Sequence, residues 1–343
     1  MKVKLAKYSF PTLADPPPLL ASIVMPALLE QLKRFTTVVA DTGDIAAIER
    51  HRPGGATIGA SQILRAVQSS RYAPLLCAAA QRARSEPAER RIDRVLVAFG
   101  VEILKRIDGR VSTDVDARLS FDTRATIERA RRLTALYESN GIARDRVLVG
   151  IAATWEGIRA AELLEREDIR CNMTLVFSEV QAQAAADAGV TAISPFAGRV
   201  CDRRERGAGA RPDEPAGAGS PGVRSVREIY ALVKGGGYPT AVIGASVRTM
   251  DQVAALAGCD ALAIGPELLD RLATTEGPLE RALVSPAPSA RRSPLAEPAF
   301  RYALNDDATA TEALAEGIRV LAADAVELQR LLAAPATEPV AAC

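Results

Sequence analysis

Short apolar segments alternate with longer amphipathic ones along most of this 343-residue chain. Eight of the short segments have the length and composition of buried strands, and segments with helical spacing lie between them. This alternation is typical of a parallel sheet wrapped by helices, and eight units in one chain predict an α/β fold closed as a (β/α)8 TIM barrel. The predicted strands are Thr36–Asp41, Ala56–Ala60, Val111–Asp116, Val147–Ala152, Asn172–Phe177, Ala192–Phe196, Ala241–Ala245 and Ala261–Ile264.

The intervening segments predict helices, and a longer amphipathic helix over Thr309–Leu332 is expected to pack on the outside of the barrel. Residues 203–222 predict a mobile loop, and the proline-rich residues 284–298 predict an extended connection. We expect an N-terminal extension over 1–30, one barrel over 31–335 and a disordered tail over 336–343. The clearest predicted helices are Ala46–Arg52, Asp122–Ser139, Gly157–Glu167, Val180–Ala188, Ser225–Lys234 and Met250–Ala257.

Charge and hydropathy exclude two classes of partner. The formal net charge is +1, which gives no basic surface for nucleic acid. The apolar stretch Leu19–Leu29 is too short to span a bilayer and is interrupted by Pro26. We therefore expect no nucleic-acid or membrane partner and a cytoplasmic location.

The cysteines and the single histidine exclude several kinds of site. Five cysteines without a CxxC spacing predict buried thiols rather than a disulfide framework or a zinc site. His51 is expected on the surface of a helix, away from any catalytic role. No glycine-rich nucleotide-binding loop follows a predicted strand. We therefore predict no metal and no cofactor.

A family pattern runs through the chain from about Phe35 to Leu332. The segments that carry it are Thr36–Asp44, Glu102–Leu104, Gly109–Ser120, Thr154–Ala161, Cys171–Leu175, Ile193–Arg199, Gly244–Arg248 and Leu314–Arg319. Together they resemble transaldolases, in particular the bacterial long-chain members. The resemblance implies the class I aldolase type of barrel with an extra C-terminal helix, a small phosphorylated or otherwise anionic substrate, and a homodimer.

The resemblance also implies roles for residues at the carboxyl ends of the strands. Asp41 matches the acid/base aspartate, while Asp114 stands where the family has a glutamate that positions the catalytic water. Thr174 matches the threonine that holds this water. Asn172 and Thr174 alternate on one strand, so both side chains should face the barrel interior. The implied substrate and phosphate contacts are Asn172, Ser194, Arg199, Ser246 and Arg248.

Structural roles are the alternatives for these residues. Asp41 could cap the following helix. The inward polar side chains could satisfy one another's hydrogen bonds. The two arginines could form a salt bridge with Asp202 or Glu179 rather than bind phosphate.

Four positions depart from the family pattern. Gly150 stands where the family's IKLASTW segment has the lysine that forms the Schiff base, and Gly59 replaces the asparagine of TTNPS. Glu179 and Arg203 replace an apolar residue and a tryptophan. The two glycines predict a roomier and less polar cavity. The lysines of the chain are not expected at the carboxyl end of a strand, so imine chemistry is not expected; they are Lys2, Lys4, Lys7, Lys33, Lys105 and Lys234.

Three hypotheses for function remain open. In the first, Asp41 and Asp114 perform acid/base chemistry without an imine on an anionic or sugar-phosphate-derived substrate, such as a dehydration, isomerisation, cyclisation or retro-aldol step. In the second, the chain is a non-catalytic relative that binds a sugar phosphate or a partner protein. In the third, it keeps transaldolase activity through another lysine.

Overall fold

The computed structural model describes residues 25–198 and 217–333. Within these ranges, eight parallel strands close into a barrel in chain order, which confirms the predicted (β/α)8 fold. Each observed strand overlaps its predicted segment. The strands are β1 Thr37–Asp41, β2 Gly55–Ile58, β3 Arg110–Asp114, β4 Val147–Ala152, β5 Cys171–Val176, β6 Ala192–Pro195, β7 Ala241–Val247 and β8 Ala261–Ile264.

Helices surround the barrel, and the six predicted helices between strands are found. The helices are α1 Leu28–Leu32, α2 Ile45–His51, α3 Ala60–Ala66, α4 Ala73–Arg82, α5 Ala88–Leu104, α6 Thr123–Ser139, α7 Trp155–Arg166, α8 Glu179–Asp187, α9 Pro221–Gly235, α10 Met250–Leu256, α11 Pro266–Thr274, α12 Glu297–Asp306 and α13 Ala308–Ala333. The predicted extended connection lasts until α12 begins at Glu297.

Two predicted boundaries differ from the structure. Helix α9 begins before the predicted Ser225, because the Ser220 side chain accepts a hydrogen bond from the Val223 N–H and Pro221 suits the first turn. The last two residues of the predicted loop over 203–222 therefore belong to α9. Residues 203–216 of that loop lie outside the described ranges. Helix α1 begins at Leu28, within the segment predicted as an extension, where the Leu28 N–H donates to the Thr275 carbonyl.

The strands are buried on both faces, as expected for a barrel covered by helices. All six residues of β4 are buried. Neighbouring strands are in register, so that Gly150 of β4 lies beside Asp114 of β3 and Asn172 of β5. Because neighbours in register share a face of the sheet, a side chain at position 150 would point into the barrel with those two.

Strands β5 and β7 each contain an irregularity near their carboxyl ends. The register shifts between Met173 and Val176 in β5 and between Gly244 and Val247 in β7. Leu175 and Ser246 lie at these shifts, each with φ +56°, a left-handed conformation that costs energy for residues other than glycine. Such bulges redirect the side chains that follow them, and here they occur where the strands reach the barrel mouth.

The predicted extra C-terminal helix is present, but its predicted place on the outside of the barrel is wrong. Helix α13 lies across the mouth, where its apolar side chains pack with residues at the ends of β4 and β5. This cluster contains Ala152, Leu175, Phe177, Ala310, Ala313, Leu314 and Ile318. The Ser61 hydroxyl at the start of α3 donates a hydrogen bond to the Asp324 carboxylate of α13. The apolar stripe of α13 therefore finds its burial over the strand ends.

Two further predictions need correction. His51 is buried, not on the surface, and its Nε2 lies 2.8 Å from the Asp270 Oδ1 of α11, because the last turn of α2 packs against that helix. Cys171 and Cys259 are buried free thiols, as predicted, whereas Cys77 is disulfide-bonded. Both corrected residues lie on helices that surround the barrel.

Gly100 of α5 allows the Tyr137 side chain of α6 to pass beneath the helix. An ideal Cβ at position 100 would lie 1.8 Å from the Tyr137 hydroxyl oxygen and 2.8 Å from its Cζ. That hydroxyl is 2.6 Å from the Thr113 Oγ1, and burial raises the pKa of Tyr137. The contact fixes the end of β3, one residue before Asp114.

We expect Gly100→Ala to lower the free energy of unfolding by about 2 kcal/mol, since overpacking outweighs the better helix propensity of alanine. Tyr137→Phe in the same chain should restore part of this loss, because it removes the nearest atom. Urea denaturation of the two single variants and the double variant measures both effects. A Gly100→Ala protein as stable as the wild type would show that α5 can shift away from Tyr137.

Candidate active site

Seven of the predicted site residues converge on one cavity at the barrel mouth. The cavity has a volume of about 280 Å³, and its lining includes Asp41, Asp114, Asn172, Thr174, Ser194, Ser246 and Arg248. These residues come from β1, β3, β5, β6 and the end of β7, consistent with active sites at the carboxyl ends of barrel strands. Arg199 lies outside the described residues.

The Asp114 carboxyl occupies the space beside the two glycines. A Cβ at Gly150 would lie 2.0 Å from the Asp114 Oδ1, and a Cβ at Gly59 would lie 2.7 Å from its Oδ2. Neither glycine has a positive φ. Glycine is therefore needed at these positions because the Asp114 carboxyl lies too close for a side chain, not because of the backbone conformation. The space that side chains at positions 59 and 150 would enter is therefore occupied by the Asp114 carboxyl.

The lining of the cavity is polar. Most of its lining residues are polar, including Thr57, Gln62 and Arg65, which the sequence did not single out. A cavity less polar than that of the family stays a prediction. The Asp114 carboxyl lies where the expected additional room would be.

Asp114 is an unusual carboxyl group. Its Oδ1 is buried and has no hydrogen-bond partner among the described residues, while the residue as a whole lines the cavity. Burial, with a smaller contribution from the negative charge of Asp41, raises the pKa of Asp114 to about 7. A carboxyl group with such a pKa can give or take a proton near neutral pH.

Asp41 is held by a glutamine rather than used as a helix cap. The Gln62 Nε2 donates to the Asp41 Oδ1 at 2.6 Å. The N-cap of α2 is instead Asp44, whose side chain accepts from the N–H groups of Ala46 and Ala47. The structural alternative for Asp41 is thus not supported, and its carboxylate remains available at the cavity wall.

Gln62 lies between the two aspartates and was missed by the sequence analysis. Its Oε1 is buried without a hydrogen-bond partner in the described residues. This atom lies 3.2 Å from the position that a Cβ of Gly59 would take, and the Asp114 Oδ2 lies 2.7 Å from the same position. The amide that donates to Asp41 thus has its oxygen beside the same glycine as the Asp114 carboxyl. A polar residue at a core-facing position of α3 is the only sequence signal for it.

The two polar residues of β5 differ in their contacts: Asn172 forms side-chain hydrogen bonds, and Thr174 lies at the cavity wall. The Asn172 Nδ2 donates to the Ser112 Oγ at 3.2 Å, and its Oδ1 accepts from the Ser194 Oγ at 2.8 Å. Inward polar residues thus partly satisfy one another, as the structural alternative suggested. Thr174, two residues further, lies at the cavity wall and is better placed for a ligand.

The bulge of β7 places Ser246 and Arg248 at the rim. A Cβ at Gly198 would lie 2.1 Å from the Ser246 carbonyl oxygen and 2.8 Å from the Arg248 Nε. The backbone after β6 therefore approaches the end of β7 closely. This contact places the Arg248 side chain beside that backbone, at the edge of the cavity.

Helix α13 supplies part of the wall of the cavity, through Val320, Leu321 and Asp324. These three residues were not predicted for the site, because the helix was expected outside the barrel. Asp324 accepts its hydrogen bond from Ser61, 263 residues earlier in the chain. No local pattern reports a contact of that separation.

The remaining departures and the lysines lie away from the cavity lining. Glu179, the first residue of α8, forms an ion pair with Arg292 at 2.7 Å, and Arg203 lies outside the described residues. Each lysine of the described ranges pairs with an acidic residue: Lys33 with Glu30, Lys105 with Glu102 and Lys234 with Asp260. None of these three lines the cavity, so the described part of the site offers no amine for an imine.

Residues 25–198 and 217–333 show neither a metal-binding cluster nor a membrane-spanning helix. They contain no group of three or more His, Cys, Asp or Glu residues arranged to hold a metal ion. They also contain no helix that is both long and apolar enough to cross a membrane.

The closed barrel with a polar cavity at its carboxyl-terminal mouth defines a (β/α)8 protein with the usual location of a barrel active site. The chain belongs to the transaldolase/fructose-6-phosphate aldolase family, whose model matches residues 38–332. The match begins at the second residue of β1, includes β2 to β8 and extends almost to the end of α13. Membership in this family confirms the resemblance carried by the sequence segments.

Proposed function

We propose that this chain is an acid/base enzyme of the family that acts on an anionic, sugar-derived carbonyl compound without forming an imine. The observation that carries the proposal is the Asp114 carboxyl, which is unpartnered at Oδ1 among the described residues and lies in the space beside Gly150. The described lysines do not line the cavity. The described part of the site therefore has a proton donor and acceptor but no amine nucleophile.

The two aspartates suit opposite halves of a proton transfer. Asp41, which accepts the Gln62 N–H, serves as the base and takes a proton from the carbon next to the substrate carbonyl. Asp114, whose pKa of about 7 keeps part of it protonated at neutral pH, donates its proton to the carbonyl oxygen. The product is an enol, from which isomerisation or dehydration can proceed.

The remaining lining residues suit the recognition of an anionic substrate. The Arg248 guanidinium at the rim can make two hydrogen bonds to a phosphate or carboxylate. Ser246 lies beside it at the bulge. Thr174 and Ser194 can bind sugar hydroxyl groups deeper in the cavity, and the volume of about 280 Å³ suits a small ligand.

The test is exchange of hydrogen between substrate and solvent. Fructose 6-phosphate and smaller phosphorylated carbonyl compounds are incubated with the protein in D2O, and loss of the signal from the hydrogen next to the carbonyl is followed by proton NMR. We expect exchange by the wild type and a decrease of about 100-fold or more in Asp41→Asn. Asp168→Asn, at an exposed aspartate away from the mouth, is the matched control and should exchange like the wild type.

Borohydride treatment during the same incubation separates this proposal from the other two hypotheses. The proposed mechanism leaves no covalent adduct on the protein, detected by intact mass. An adduct would establish imine chemistry and reject the proposal. Binding of the sugar phosphates without exchange, in wild type and Asp41→Asn alike, would instead establish a non-catalytic relative.

A further inference from the structure

A second, larger cavity adjoins the first. It has a volume of about 560 Å³. It shares five lining residues with the active-site cavity of about 280 Å³, which we call the inner cavity: Asp41, Arg65, Ser246, Arg248 and Ala263. We call the larger cavity the outer cavity. One wall is the segment from Arg65 to Tyr72, and another is the start of α11 at Gly265–Glu267. A small sugar phosphate in the inner cavity would leave most of this volume unfilled.

Several charged groups of the outer cavity already have partners. The Tyr72 hydroxyl donates a hydrogen bond to the Asp44 carboxylate and accepts one from the Ala46 N–H. Asp44 also caps α2, so its negative charge is offset by the N–H groups of that helix. These residues form a bonded network on the far side of the outer cavity.

Arg65 differs from that network. It lies on the shared wall of both cavities and is exposed. In residues 25–198 and 217–333 it has no ion pair and no side-chain hydrogen bond. A guanidinium offers five donors in a fixed planar arrangement that matches phosphate or carboxylate oxygens. A ligand that extends from the inner cavity into the outer cavity would therefore pass the positively charged Arg65 side chain.

We propose that the outer cavity binds a second anionic group of the ligand and that Arg65 is its guanidinium contact. This inference rests on the proposed function, since it extends the same ligand beyond the reacting part. The ligand is then a sugar-derived compound with two anionic groups, such as a bisphosphate or a phosphorylated sugar acid. Glu267 on the opposite wall repels an anion there, which places the second group on the Arg65 side.

The experiment compares the affinities of two probes by isothermal titration calorimetry at one pH and one ionic strength. The probes are fructose 6-phosphate and fructose 1,6-bisphosphate, and the proteins are wild type, Arg65→Gln and Arg82→Gln. Arg82, at the end of α4, is exposed and does not line either cavity. We expect the wild type to bind the bisphosphate about ten-fold more tightly, as one charge-assisted contact allows. Arg65→Gln should abolish this preference, and Arg82→Gln should keep it.

Each other outcome rejects the assignment. Equal affinity of the wild type for both probes shows that the outer cavity takes no second anion, and leaves the proposed function intact. An equal loss of both affinities in Arg65→Gln shows that Arg65 contacts the same phosphate as Arg248. Failure of the wild type to bind either probe rejects the inference together with the sugar-phosphate premise of the proposed function.

Discussion

Gly150→Ala is expected to displace the Asp114 carboxyl and to lower the rate of hydrogen exchange by about 100-fold or more. The added Cβ would lie 2.0 Å from the Asp114 Oδ1 and 3.2 Å from its Cα. The carboxyl must therefore rotate, and the strand backbone must yield slightly as well. The exchange assay measures the loss, and circular dichroism shows whether the fold persists.

The double variant Gly150→Ala with Asp114→Ala is the control for this explanation. If the methyl group acts only through the carboxyl, then Gly150→Ala changes little once Asp114 is already alanine. Independent, additive losses would point to a direct role of the backbone at position 150. The same geometry bears on restoring the family lysine by Gly150→Lys with Gly59→Asn, because both new side chains would enter space that Asp114 occupies.

Asp114→Asn is expected to inactivate the protein while stabilising it above neutral pH. The pKa of Asp114 is raised to about 7 in the folded protein, whereas an aspartate of an unfolded chain has a pKa of about 3.9. Between these values the folded state holds a proton that the unfolded state has released. The free energy of unfolding of the wild type therefore falls as pH rises from about 4 to about 7.

Asparagine does not titrate, so the free energy of unfolding of Asp114→Asn does not fall over this pH range. A rise of three pKa units corresponds to about 4 kcal/mol, and contact with the solvated cavity reduces the expected difference to roughly 2 kcal/mol at pH 8. Urea denaturation at pH 5 and pH 8 measures it, with Asp168→Asn as the control. A difference that stays constant between the two pH values would mean that Asp114 has an ordinary pKa.

The barrel could be predicted from the sequence because each strand is a short apolar run bounded by a helical pattern. Seven site residues could be located because the family motifs fix their places at strand ends. The position of the Asp114 carboxyl could not, because it depends on its side-chain conformation and on space left by residues of two other segments. Gln62 was missed for a similar reason, since its hydrogen bond to Asp41 crosses from one unit to another.

His51 and α13 illustrate a different limit. An amphipathic helix pattern shows that one face is buried, but it does not show against what. His51 lies on such a face of α2 and meets Asp270. Helix α13 has an apolar stripe that suits the outside of a barrel equally well, and only the apolar strand ends at Leu175 and Phe177 decide its place.

The position of α13 also sets an order of events during synthesis. All eight strands precede it in the chain, so the barrel can close on the ribosome before its mouth is covered. Until residues 308–333 emerge, Ala152, Leu175 and Phe177 lack the helix that buries them, and such exposed apolar surface promotes association between chains. Nascent chains that stall between β8 and α13 would therefore be the form of this protein that most needs a chaperone.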